Sequence, residues 1–144
     1  MLPRTPVAHS WCHDRLGTDM THESRRIQPP VPPGYLAELR RWARRWVEQN
    51  APVPADPDTV VLAMTELVTN SIRHAAGPVE IELTGNSSVV VVEVSDSSDV
   101  LPRRLTAEPE VEGGRGLVLL ELLASRWGVR THPNGGKTVW CEFA

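Results

Sequence analysis

Residue types that could do chemistry gather in three places along this 144-residue chain. The first is the segment from Asp58 to Ala76, where Glu66 and Asn70 stand four positions apart. On a helix that spacing stacks the two side chains on one face. Asn70 offers a neutral carbonyl oxygen suited to Mg²⁺, an ion that keeps oxygen ligands and several waters beside phosphates. Glu66 can hold a water of such a shell, or take the proton of an incoming hydroxyl. An exposed Glu/Asn pair followed by the basic Arg73 and His74 explains the same residues without any chemistry, and the helix alone favours that plainer reading. The second place is Asp96, at the end of Val92-Glu93-Val94-Ser95-Asp96. A carboxylate at the mouth of a sheet can accept a hydrogen bond from an amino group, for example the exocyclic amine of adenine. A turn-initiating Asp is the competing explanation. The third place is Gly113-Gly114-Arg115-Gly116-Leu117, just ahead of an apolar stretch of helical length. Glycines let backbone N–H groups approach phosphate, a helix N-terminus favours anions, and Arg115 can add a charge-assisted contact. A flexible hinge would use the same glycines.

These groups need elements to position them. Between Asp58 and Ala76, Val60, Val61, Met64, Leu67, Val68, Ile72 and Ala75 fall on one broad arc at about 100° per residue. Glu66, Asn70, Arg73 and His74 fall together on the other side. Asp56 is a good N-cap with Pro57 at the first helical position, and Gly77-Pro78 is the expected stop. An earlier amphipathic helix carries Tyr35, Leu36, Leu39, Trp42, Ala43, Trp46 and Val47 on its core face, with arginines on the other. Its tryptophans read as core. Asn50 to Pro54 reads as a linker. Residues 23–28 suit a short edge strand before the proline-rich breaker at 29–33. Val79 to Leu83 alternates strictly, a turn follows at Gly85-Asn86-Ser87, and Val89 to Val94 is apolar on both faces except at Glu93. That pair predicts a hairpin whose second strand is the more central. Residues 97–112 are polar with Pro102 and Pro109, the signature of a long lid or binding loop. Leu117 to Leu123 predicts a helix. Trp127 to Thr131, a turn at Asn134-Gly135-Gly136, and Thr138 to Phe143 predict a closing hairpin. Gly135-Gly136-Lys137-Thr138 therefore matches a P-loop ending only superficially, and Gly113 to Leu117 lacks that ending altogether. The expected fold is α+β: a two-layer α/β sandwich whose mixed, mostly antiparallel sheet has its helices on one face.

Bulk properties narrow the class. The length suits one domain with one core, and 40% apolar residues suffice to fold it without staples. A formal charge of −3 lacks the basic excess of a nucleic-acid binder. Arg40, Arg41, Arg44 and Arg45 have the spacing of a solvated helix face. Two cysteines, Cys12 and Cys141, form no CxxC pair, so neither a zinc framework nor a disulfide scaffold is indicated. No apolar run approaches the roughly 20 residues that span a bilayer, and residues 1–20 lack a signal-peptide core. These features together predict a cytoplasmic protein. Residues 1–21 have no period and are expected to form a flexible arm ahead of a domain over 22–144. In that region and just after it, His9, Cys12, His13, Asp14 and His22 are metal-ligand types at spacings that match no ordered site.

The three chemical clusters, in this order and spacing, resemble the GHKL superfamily of Bergerat-fold ATPases and kinases. Within it the chain resembles the anti-sigma-factor serine/threonine kinases and their actinobacterial relatives. The resemblance spans about Arg25 to Ala144. Glu66 to Ala75 (ELVTNSIRHA) looks like the N box, Val94 to Ser98 (VSDSS) the adenine-binding box, and Gly113 to Leu117 (GGRGL) the second glycine box. Leu123 to Val129 and Gly135 to Trp140 look like the closing hairpin. The resemblance implies ATP and Mg²⁺ as cofactors. It implies Glu66 as the catalytic base or water-positioning residue and Asn70 as the Mg²⁺ ligand. Asp96 would recognise adenine, Gly114 and Gly116 would bind the phosphates and hinge a lid over residues 97–112, and Gly113, Arg115 and Leu117 would complete the nucleotide-binding loop. It allows phosphate contacts from Arg73 or His74. Two departures stand out. Ser71 occupies a position where the N box usually has Ala. The family's Asp-x-Gly-x-Gly reads Asp96-Ser97-Ser98-Asp99-Val100 here, so a Ser98 hydroxyl contact would stand in for the missing glycines.

By this resemblance the chain is an ATP·Mg²⁺-binding regulatory protein, expected to phosphorylate a serine or threonine on a small antagonist of the anti-anti-sigma type. A sigma factor and a second copy of the chain are further implied partners. The alternative is a nucleotide-responsive binding protein without transferase activity, which the absent glycines favour slightly. A histidine kinase catalytic domain fits less well, because no phosphoacceptor helix with a suitable His precedes the domain.

Overall fold

Alternating apolar residues in four segments produce the core face of a single antiparallel sheet. The computed structural model describes residues 20–51, 55–75, 77–99 and 120–144. Strands β1 (Thr21–Ile27), β2 (Val79–Gly85), β3 (Val90–Asp96), β4 (Arg126–Thr131) and β5 (Lys137–Phe143) lie in the order β1-β2-β3-β5-β4. Every pairing is antiparallel, so the mixed character allowed by the sequence is absent from the described strands. Helices α1 (Tyr35–Asn50) and α2 (Pro57–His74) are the long helices. A further helical segment ends at residue 123, within the stretch read as helical.

One rung of the sheet shows how sequence period becomes packing. Leu83, Val92, Cys141 and Trp127 are register partners across β2, β3, β5 and β4. Side chains alternate between the faces of a strand, so such partners share a face. Ile81, Val94 and Val139 form the next rung on that side, and all three are buried. Against this face pack Val60, Met64, Leu67 and Val68 of α2 and Leu39, Ala43, Trp46 and Val47 of α1. Met64 is fully buried; burying a side chain of that size contributes on the order of 1.5–3 kcal/mol. Trp46 joins the core as expected. Trp42 is only half-buried: its indole N–H donates to Glu23 Oε1 at 2.8 Å and the Arg25 guanidinium lies 4.7 Å from its ring. Arginine over an indole face is an attractive arrangement.

Local signals set most boundaries. The Asp56 side chain accepts from Asp58 N–H at the start of α2, with Pro57 in the first turn. The helix ends at His74, before Gly77, with Ala75 N–H bonded to Ser71 C=O. β2 runs through Gly85, so its turn begins one residue later than predicted, where Asn86 Oδ1 accepts from Ser88 and Val89 N–H. β1 starts at Thr21 rather than residue 23. The rest of the expected arm, with His9, Cys12, His13 and Asp14, lies outside the described residues. Among the described residues no cluster could hold a metal ion, and no helix is long and apolar enough to cross a membrane.

Candidate functional site

The C-terminal half of α2 meets the end of β3, and a polar residue on the core arc of the helix makes the join. Ser71 is buried, and its hydroxyl donates to Asp96 Oδ2 at 2.6 Å. Asn70 is the next residue along and Glu66 lies one turn before it; both are half-buried. Neither side chain makes a hydrogen bond or ion pair with another described residue. Arg73 and His74 are exposed in the last turn, where cations suit the negative end of the helix dipole. The edge of α2 that carries Glu66 and Asn70 is thus tied to the Asp96 strand end through their neighbour.

Asp96 has no solvent exposure, and its carboxylate collects donors from three directions. Besides Ser71, Ser98 N–H donates to Oδ1 at 2.9 Å. Lys137 Nζ donates to Oδ1 at 2.8 Å and to Oδ2 at 3.1 Å. Lys137 is itself buried and is the register partner of Asp96 across β3 and β5. Buried charges are retained only when paired and hydrogen-bonded, and this pair meets both conditions. The ammonium also reaches Ser98 C=O at 3.4 Å.

The run after Asp96 lacks the expected glycines and is held by other groups. The Asp96–Ser98 bond closes a side-chain turn of the kind Asp commonly makes. Asp99 Oδ1 then accepts from Gly136 N–H at 2.9 Å, anchoring the run on the β4–β5 turn. Close backbone approach is provided from that opposite side. Gly136 has φ +88°, and a Cβ there would sit 2.5 Å from Asp96 C=O. Gly77 likewise passes beside Ser97, whose Oγ would lie 3.2 Å from a Cβ at that position.

The other face of β3 and β5 carries polar groups. Ser95 and Thr138 hydroxyls lie 2.7 Å apart, and His132 Nε2 is 2.8 Å from Thr138 Oγ1. Glu93 accepts from Arg130 at 2.6 Å. Burial raises the Glu93 pKa above the usual carboxylate value, against the pull of Arg130. Burial, helped by the Arg130 charge, lowers that of His132. A separate concavity of about 520 Å³ lies between β1 and α1, lined by Glu23, Arg25, Arg41, Trp42 and Arg45 among others; among the described residues, none of the expected site residues borders it.

A sequence model described as a histidine kinase-like ATPase domain matches residues 30–143. The chain belongs to that family. ATP is the nucleotide that a histidine kinase-like ATPase domain implies. Among solved structures, this ATPase domain is similar to that of the RsbU and RsbW domains of Rv1364c from Mycobacterium tuberculosis, with a TM-score of 0.53 at 21% identity. The likeness covers 84% of this chain and 32% of that one, so the chain spans about a third of the solved relative. At that identity the likeness concerns the fold alone. No curated protein matches.

Within the ATPase domain, Glu66, Asn70, Arg73 and His74 come from α2, and Asp96 and Ser98 from the end of β3 and just beyond. Gly113, Gly114, Arg115, Gly116 and Leu117, and all of the expected lid after Asp99, fall outside the described residues. Two groups on Asp96 were not picked out as site residues in the sequence, although each left a signal. Ser71 is a polar residue on the apolar arc of α2. Lys137 stands in alternation with Val139, Cys141 and Phe143, which places a cation on the core face of β5. Either position requires a polar partner inside.

Proposed function

We propose that this chain binds ATP·Mg²⁺ and acts in the cytoplasm as a serine/threonine protein kinase of the anti-sigma-factor type, phosphorylating a small antagonist protein in a partner switch. The observation that carries the reading is the join of α2 to a fully buried carboxylate at the end of β3, through Ser71 and Asp96. Glu66 and Asn70, half-buried and with no described side-chain partner, lie on the same helix as Ser71, which supports the reading. Phosphoryl transfer is mostly positioning and charge stabilisation. Asn70 would hold Mg²⁺, which neutralises phosphate charge when bound. Glu66 would orient or deprotonate the attacking hydroxyl, Gly113 to Leu117 would cradle the phosphates, and Arg73, His74 and Arg115 would serve as counter-charges. The implied partners are an anti-anti-sigma-type protein, a sigma factor on another surface, and a second copy of the chain.

A second reading, nucleotide-responsive binding without transfer, draws support from the donors already crowding Asp96. Two measurements decide. Saturating ATP·Mg²⁺ should raise the melting temperature, since a ligand at 100 times its Kd stabilises by about 2.7 kcal/mol; no rise with folded protein removes both readings. Labelled γ-phosphate should then pass to a small antagonist protein, and Glu66→Ala should stop transfer while leaving binding in place. Transfer that survives Glu66→Ala refutes the assigned role, and binding without transfer by the native chain selects the second reading.

A further inference from the structure

A carboxylate has about four lone-pair sites, two on each oxygen. On Asp96 all four are engaged: Ser98 N–H and Lys137 on Oδ1, and Ser71 O–H and Lys137 on Oδ2. An ammonium has three N–H groups. Lys137 directs them at two Asp96 oxygens and at Ser98 C=O. The network is therefore closed. It offers no free acceptor to an incoming amine and no free donor to a ring nitrogen. If Asp96 reads adenine, which is the proposal above and the basis for this one, one of the four bonds must open first.

Two of the three partners are poorly placed to leave. Ser98 N–H is backbone two residues along the chain, held further by the Asp99 bond to Gly136. Ser71 is fixed on α2 and makes the shortest contact. Lys137 holds the two longest, at 3.1 Å to Asp96 Oδ2 and 3.4 Å to Ser98 C=O, on a side chain with four rotatable carbons. We propose that Lys137 is a built-in competitor for the base: its ammonium occupies the adenine-reading face of Asp96, and nucleotide binds by displacing it. Lys137 is thus a positioning residue that sets affinity and the weight given to the exocyclic amine. Each amine contact with Asp96 is an exchange for an existing charge-assisted bond, so discrimination between purines with and without that amine is weak in the native chain.

The test compares ATP with the triphosphate of purine riboside, which lacks the 6-amino group, by titration calorimetry on the full chain and on Lys137→Met. Methionine keeps much of the length and removes all three donors. Loss of one charge-assisted competitor corresponds to about a tenfold or greater tightening for ATP. The amine-free analogue should shift by less than about twofold, so that the preference for ATP over it grows by the same factor. A purely structural role for Lys137 would move both nucleotides together. Lys137→Gln, which keeps a neutral donor, should fall between the two and serves as the readout if the methionine variant does not fold. Weaker ATP binding in these variants would make Lys137 a direct reader of the base, and equal shifts for both nucleotides would make it structural; either overturns the proposal. No binding of any nucleotide by the native chain and by both variants would instead refute the ATP reading itself. Binding that emerges only in Lys137→Met would make Lys137 a block that nucleotide does not displace, and would overturn the proposal as well.

Discussion

Replacing Gly136 with alanine asks how tightly the β4–β5 turn is pressed against the Asp96 backbone, and Gly34 supplies the control. Both glycines hold positive φ, +84° at Gly34 and +88° at Gly136. A Cβ at Gly34 would meet nothing within 4 Å. Alanine there carries only the left-handed backbone penalty, about 1–2 kcal/mol. At Gly136 the same penalty applies, and the new carbon would stand 2.5 Å from Asp96 C=O and 3.3 Å from Ser97 Cα. Those are backbone atoms at the end of a strand, so relief requires main-chain movement; overpacking of this kind costs about 1–3 kcal/mol. The same shift lengthens the Gly136 N–H bond to Asp99, a contact with a net value of about 0.5–1.5 kcal/mol. Gly136→Ala should therefore lose about 2.5–6.5 kcal/mol in all. That is about 1.5–4.5 kcal/mol more than Gly34→Ala. Urea unfolding with linear extrapolation measures both, read as a change in midpoint at constant slope. Losses equal within about 0.5 kcal/mol would refute the claim that the turn is packed onto Asp96 and would remove the account of the missing glycines.

Two further predictions concern titratable groups. Burial lowers the folded pKa of His132 below the ordinary 6.5, so the native state binds fewer protons there than the unfolded chain. Its contribution to stability is complete above the unfolded value and falls as pH drops below it toward the folded value. His132→Asn should accordingly show a shallower loss of stability than the native chain from about pH 7 to pH 5, by urea midpoint; parallel curves would mean His132 titrates as it does unfolded. Cys141 is fully buried and its thiol pKa is driven far upward by that burial. In a Cys12→Ser background the native protein should release no colour from an aromatic disulfide reagent until denaturant is added, and rapid reaction in buffer would contradict the packing at that position.

How far the sequence led depended on whether a signal was local. The α2 start was legible because Asp56 and Pro57 act on their own turn, and the β2–β3 hairpin because alternation and Asn86 need no distant partner. The all-antiparallel order required knowing which strands neighbour one another, and no period in the chain states that β3 sits beside β5. The same division runs through the site. Glu66 and Asn70 are four apart on one helix, so their shared face follows from helix geometry. Asp96 with Ser71 and Lys137 spans separations of 25 and 41 residues, and only the folded register brings the three together. The absent glycines after Asp96 looked like a defect when that run was read alone. A close backbone approach to Asp96 does occur, at Gly136 on a turn some 40 residues later.

The first strand gives the sheet a built-in order of assembly. Thr21 bonds to Gly85 across 64 residues, whereas the β2–β3 turn is closed by Asn86 and Val89 within its own four residues. Closing a loop costs entropy that grows with its length, by about 0.6 kcal/mol per doubling. The two hairpins can form from nearby chain, but β1 can dock only after both long helices have been laid across the gap between it and β2. β1 closes the longest separation in the sheet and is expected to pair late. Changes in β1 will register chiefly in how fast the native state comes apart rather than in how fast it forms.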